Sequence, residues 1–191
     1  MEQSIRTFIA IELNKGTHSE LSSLQAVLKK SDADVKWIDP QIIHLTLKFL
    51  GNVDDKKIKD VQNLLNDVAK NFSPFVLSLK GIGAFPKLDY PRVIWVGVDE
   101  GKDEASQLAK ELEDVLEKIG IPKEDREFHP HITLGRVKSP KNKDRLKSVI
   151  EATKFEPSSK IAVEHLTLFK SQLTPQGPIY TPLFIAKMQS A

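Results

Sequence analysis

The sequence predicts an α+β fold: two pseudo-symmetric lobes of antiparallel sheet, backed by helices, with a central cleft. Three observations carry this expectation. Strand-like and helix-like stretches follow one another in the same order twice along the chain. The strands are short and some connections are tight, which suits antiparallel pairing better than a wound parallel sheet. Each half alone is too small for a good core, so the two should pack as a single bilobal domain over residues 1–191.

The first series opens with Thr7 to Leu13, a strand with Thr7, Ile9, Ile11 and Leu13 on one face and Arg6, Phe8, Ala10 and Glu12 on the other. Residues 17–30 carry Leu21, Leu24, Val27 and Leu28 at helical spacing. Pro40 marks a break, and Ile42 to Leu50 reads as a second strand ending at Gly51. A helix near 54–70 follows, striped by Ile58, Val61, Leu64, Leu65 and Val68. A third strand, Phe75 to Leu79, leads into a loop from Gly81 to Pro86.

The second series repeats the first. Arg92 to Val98 is a strand, and 102–119 a helix striped by Leu108, Leu112, Val115, Leu116 and Ile119. Gly120-Ile121-Pro122 stops that helix. Phe128 to Val137 is the next strand, and Ser139-Pro140 reads as the N-cap and first residue of a helix reaching about 152. A strand from about 160 to 169 completes the series, and one near Ile179 to Ala186 closes the chain. An offset of 87 residues superposes the two series, taking Phe8 to Trp95, Ala10 to Gly97, His44 to His131 and Thr46 to Thr133. The repeat units are thus about 5–86 and 91–171, with a closing strand at about 178–187.

The 28 basic and 26 acidic residues nearly cancel, to a formal charge of +2. A protein that binds along a nucleic-acid duplex usually has a larger basic excess, so any RNA contact should be local, to an end or a nucleotide. There are no cysteines, which removes disulfides, thiolate metal sites and cysteine nucleophiles. The N-terminus lacks a signal-peptide layout, and no apolar run approaches the roughly 18 residues that span a bilayer. A reduced, cytoplasmic protein acting away from membranes is expected.

The strongest chemical signal is the pair His44-Leu45-Thr46-Leu47 and His131-Ile132-Thr133-Leu134. On a strand, residues two apart share a face, so each motif offers one imidazole and one hydroxyl to the same side. Two such strands related by a pseudo-axis aim both pairs into one cleft. Imidazoles titrate near neutrality, so one can accept a proton while the other donates. The threonine hydroxyls can hydrogen-bond phosphoryl oxygens.

Other histidines compete. His165-Leu166-Thr167-Leu168 is a third copy by spelling, but the offset places His165 opposite Ser78, on the third strand of its unit, and a structural or surface role is expected. His129 and His131 could read as two metal ligands on one strand face, yet no carboxylate stands in a ligand pattern beside them. No metal or other cofactor is expected. His18 sits on a polar helix start and reads as solvated. Phe8 and Trp95 lie opposite the aliphatic rows of their strands, each followed two residues later by a small residue, Ala10 or Gly97. They either line the cleft, packing against ribose or base, or fill the core between lobes. Lys48 falls on the His44 face by alternation and would add positive charge for an incoming phosphate.

These motifs resemble a known family. Trp37-Ile38 with His44-Leu45-Thr46-Leu47-Lys48-Phe49-Leu50-Gly51 is similar to the first half of the bacterial and archaeal RNA 2′,3′-cyclic phosphodiesterases, formerly called 2′-5′ RNA ligases, in the 2H phosphoesterase superfamily. Gly83-Ala84-Phe85-Pro86 and Pro91 to Val98 resemble the family's middle segment. Pro130 to Arg136 resembles its second motif, and Gly177-Pro178-Ile179-Tyr180 its C-terminal strand entry. His129 departs from the family's residue at that position, often arginine.

The resemblance implies an enzyme that opens the 2′,3′-cyclic phosphate of RNA ends or nucleotides to a 2′-phosphate, and a metal-independent monomer is expected. It implies His44 as proton donor to the leaving oxygen and His131 as proton acceptor from water; the residues alone leave the two nearly equivalent. It also implies Arg136 as a phosphate ligand beside Thr46 and Thr133. Strict alternation turns Arg136 away from His131, so a bulge at Gly135 or a strand end must re-aim it. Cleavage or ligation of 2′-5′-linked oligonucleotides uses the same atoms in reverse, and an RNA-end-binding module without turnover is the alternative outside the enzymes.

Overall fold

The computed structural model describes residues 4–175 and 177–189. Its elements run β1 (Ser4–Glu12), α1 (Lys15–Lys29), β2 (Val35–Trp37), a 3-10 turn (Pro40–Ile42), β3 (His44–Asp54), α2 (Asp55–Lys70), β4 (Phe75–Leu77), β5 (Leu79–Lys87), β6 (Tyr90–Val98), α3 (Lys102–Glu117), β7 (His131–Val137), α4 (Lys143–Ala152), β8 (Ile161–Val163), β9 (His165–Thr174) and β10 (Gly177–Lys187). One sheet is ordered β10-β9-β1-β3 and the other β2-β7-β6-β5, and every pairing is antiparallel. The 87-residue offset relates β1 to β6, α1 to α3, β3 to β7, α2 to α4 and β5 to β9. The fold is the α+β arrangement of two pseudo-symmetric lobes.

The halves are laced together. The third strand of each unit pairs with the first strand of the other: β9 lies beside β1, and β5 beside β6. The short β4 and β8 pair with each other, Phe75 opposite Val163 and Leu77 opposite Ile161, so the pseudo-axis passes between them. A continuous apolar core joins both sheets and the helices, from Ile9, Ile11 and Leu45 in one lobe to Ile94, Ile132 and Leu112 in the other. Burying each such side chain stabilises by about 1.5–3 kcal/mol before chain entropy is counted.

Several boundaries move from their predicted places. The second strand starts at His44, not Ile42, because Asp39 accepts the Gln41 N–H at 3.0 Å and Pro40 supplies a helical φ, closing a turn just before it. His131 likewise opens β7. The predicted loop Gly81–Pro86 is strand β5. Gly83 is there to let the Trp95 ring cross the strand: a Cβ would lie 2.2 Å from that ring. Gly81, at φ +72°, sits at a bulge where the register with β6 shifts. The fourth helix is not capped by Ser139. Asn142, left-handed at φ 54°, occupies that position, while Ser139 accepts the Lys141 N–H in the preceding turn.

Candidate active site

His44 and His131 occupy the same place in their lobes, each as the first residue of a strand. The backbone before each is still turning, which brings the carbonyl two residues back against the ring. His44 Nδ1 lies 2.9 Å from the Ile42 carbonyl, and His131 Nδ1 lies 2.6 Å from that of His129. A carbonyl only accepts, so both Nδ1 atoms carry the proton and both Nε2 atoms are left to exchange one. His129 is the pseudo-symmetric mate of Ile42 and contributes by its backbone. Thr46 and Thr133 follow on the same faces, half-buried, and among the described residues neither hydroxyl has a hydrogen-bond partner.

The ring environments differ. His44 lies on Phe8, with centroids 4.7 Å apart and planes at 21°, and meets Tyr180 edge-on at 5.2 Å. His131 meets Phe85 edge-on at 4.9 Å, with Trp95 at 6.4 Å. Burial is the main influence on both, pushing each imidazole below its ordinary pKa, and the carbonyl at Nδ1 opposes it in each case. The charges then diverge. Glu12 raises His44, whereas His129 and Arg136 lower His131 further.

A bulge does precede Arg136, at Leu134 rather than Gly135, and the Arg136 charge acts on His131. Trp95 pairs with Thr133 and Ile94 with Gly135, so Leu134 is an extra residue and alternation flips after it. The Leu134 carbonyl is taken by the Ile38 N–H at 2.9 Å and by the buried Gln25 amide at 3.0 Å. Arg136 stands exposed on the His131 side, and its charge, with that of Arg6, acts on the Tyr180 hydroxyl beside His44. Strands β3 and β7, one from each lobe, are in contact.

The same bulge recurs in β3 and overturns the expectation for Lys48. Ile9 pairs with Lys48 and Ala10 with Thr46, so Leu47 is the extra residue. Lys48 turns into the interior, 2% exposed, where its ammonium donates to Glu113 and to the Pro122 carbonyl at 2.7 Å each. Phe49 takes the site-facing place instead, 54% exposed, as the mate of Arg136. Phe8 is also corrected as a substrate-lining residue. At 2% exposed, it forms with Ala10, Phe169 and Tyr180 an aromatic floor under His44, separate from the main core. Trp95 lines an open groove with Phe85, Lys102, His129, Pro130 and His131, and its buried indole N–H has no hydrogen-bond partner among the described residues.

His165 and Thr167, on β9, face Glu12 and not the cleft's second imidazole. His18 is half-buried rather than solvated, its Nε2 3.3 Å from the Ile43 carbonyl. Reasoning from the sequence did not single out Phe49, Phe85, Tyr180 or Glu12 as site residues. Phe49 had a signal, since the offset carries it onto Arg136; Phe85 and Tyr180 enter through sheet register, which no local pattern shows. Among the described residues, no three histidine or carboxylate side chains converge as a metal-ligand set.

Two imidazoles whose Nε2 atoms have no hydrogen-bond partner among the described residues, each followed by a threonine two residues on, at equivalent positions of a duplicated fold, form the candidate site of a two-histidine phosphoesterase. The chain belongs to the 2′-5′ RNA ligase superfamily, whose family model matches residues 18–174. It is similar to the RNA 2′,3′-cyclic phosphodiesterase of Methanothermobacter thermautotrophicus, 36% identical over 184 residues that cover 96% of this chain and 99% of the relative. Among solved structures, a Thermus thermophilus protein matches with TM-score 0.82 at 29% identity, covering 97% of this chain and 98% of its own. E. coli LigT complexed with 3′-AMP matches with TM-score 0.79 at 27% identity, over 98% of this chain and all of that one (100%).

Proposed function

We propose that this protein hydrolyses the 2′,3′-cyclic phosphate at the end of an RNA chain to a 2′-phosphate, with His131 as base and His44 as acid. Family membership and the names of its relatives support the reaction class. The observation that carries the chemistry is the matched pair of imidazoles, each anchored through Nδ1 and open at Nε2. His131 Nε2 takes a proton from water as its oxygen attacks phosphorus. The bond from phosphorus to the 3′-oxygen breaks, and His44 Nε2–H supplies that oxygen with a proton. The Thr46 and Thr133 hydroxyls and the Arg136 guanidinium hold the non-bridging oxygens as charge builds on them.

Charge supports this assignment of roles. A carboxylate beside His44 favours its imidazolium, and the Arg136 guanidinium favours the neutral form of His131. Acid, base and oxyanion donors all come from the chain itself, so the reaction is proposed to need no metal. The laced sheets support one bilobal domain, and a cytoplasmic monomer is the proposed setting.

Incubation with cyclic-phosphate-ended RNA in excess EDTA, followed by mapping of the product phosphate, tests this reading. Full turnover to a 2′-phosphate is expected. A dead enzyme that zinc or manganese restores would sink the mechanism. Faster action on 2′-5′-linked RNA would replace the substrate with that linkage, and binding without turnover would leave only an RNA-end module.

A further inference from the structure

The third His-x-Thr sequence has a place in the sheet that explains it. β1 runs between β3 and β9, and Glu12, at its end, is the register partner of His44. Two residues earlier, Ala10 pairs with Thr167 on the other side. Thr167, fully buried, donates its hydroxyl proton to Glu12 Oε2 at 2.6 Å, and His165 Nε2 lies 3.3 Å from the same oxygen. One carboxylate oxygen is thus pinned by the third motif, on the sheet face that His44 shares. Among the described residues of the other lobe no carboxylate is docked in this way. The pseudo-symmetric mate of Glu12 is Asp99, which is exposed and lies 4.0 Å from Lys80.

We propose that Glu12, docked on His165 and Thr167, is a positioning residue that keeps a negative charge beside His44 and so decides which of the two histidines carries the proton. The inference rests on His44 and His131 being the reacting pair. The other groups facing His44 do not duplicate it. Tyr180 comes from β10, with Arg6 and Arg136 near its hydroxyl. His165 reaches Glu12 from β9, with Lys187 of β10 opposite it in register, and His18 of α1 bonds the Ile43 carbonyl. Lys48, on β3 itself, faces the interior. Glu12 is the carboxylate that acts on His44.

The test is a titration of the His44 and His131 ring signals by NMR in the substrate-free protein. Glu12→Gln should move the His44 midpoint down by about half a pH unit, the scale of a screened, half-exposed charge pair, and leave His131 in place. Thr167→Val, close in shape but unable to pin the carboxylate, should move His44 in the same direction by less. Glu12→Asp should restore part of the difference. In the pH–rate profile of Glu12→Gln, the high-pH limb should move down by the same amount. A His44 midpoint unchanged in Glu12→Gln, or both histidines moving together, would overturn the proposal. Because the titration needs no turnover, it separates two failures: a wild-type protein inactive on cyclic-phosphate RNA defeats the proposed function, while an active one with His44 unmoved defeats only the role of Glu12.

Discussion

Around His44 the ring lies flat on Phe8, over a floor completed by Phe169 and Tyr180, with a carboxylate beside it. Around His131 the ring meets Phe85 and Trp95 edge-on, opens onto a groove, and has Arg136 as its charged neighbour. The backbones of these two places are nearly copies, down to the carbonyl at each Nδ1 and the bulge three residues on. Duplication has supplied two equivalent imidazoles, the proposed proton carriers, and the side chains around them have made the two unequal. A reaction in which one group gives a proton while the other takes one needs both halves of that result.

The comparison can be broken most severely at the histidines. His44→Ala and His131→Ala should each lower kcat about 10²–10⁴-fold, with KM changed far less. The double variant should be little worse than either, since the pair acts as a unit. Additive losses in steady-state kinetics would mean that the two lobes work independently. Next come the proposed phosphate ligands. Thr46→Ala and Thr133→Ala should each cost roughly 10–100-fold in kcat/KM, as neutral donors to developing charge, and Arg136→Ala a similar amount. If Arg136→Ala is silent, the bulge at Leu134 serves packing only.

Lys48 separates structure from chemistry. Removing its ammonium takes the ion-pair partner from Glu113, 19% exposed, and a donor from the Pro122 carbonyl, so Lys48→Ala should lower unfolding free energy by about 2–3 kcal/mol, read by urea denaturation. KM for cyclic-phosphate RNA should not change. The smallest expected effect is at the third motif: His165→Ala should keep turnover within about threefold, because it acts only through Glu12. A loss like that of His131→Ala would make it a member of the reacting pair.

Strict alternation puts Lys48 beside His44 and Arg136 away from His131, and both expectations fail at the same kind of irregularity. In β7 the bulge leaves a trace, because Gly135 packs so closely that a Cβ would lie 2.7 Å from Val35. In β3 the matching residue is Lys48 itself, which gives no local sign. The offset that pairs the histidines would have transferred the bulge from one copy to the other. The helices, both histidine-bearing strands and the two motifs follow from hydrophobic period and repetition alone. The exchange of third strands does not, since it is decided by packing between distant segments. The predicted loop at Gly81–Pro86 shows the same limit: Gly83 answers to a tryptophan on the neighbouring strand rather than to a turn.

The difference between the lobes is tested most directly by the pH dependence of kcat/KM in the wild type and in each single histidine variant. The wild type should give a bell, rising as His131 loses its proton and falling as His44 loses its own. His131→Ala should retain only the fall at high pH, and His44→Ala only the rise at low pH. The opposite assignment of limbs would contradict the proposed roles, and a full bell in both variants would show that His44 and His131 do not carry the chemistry.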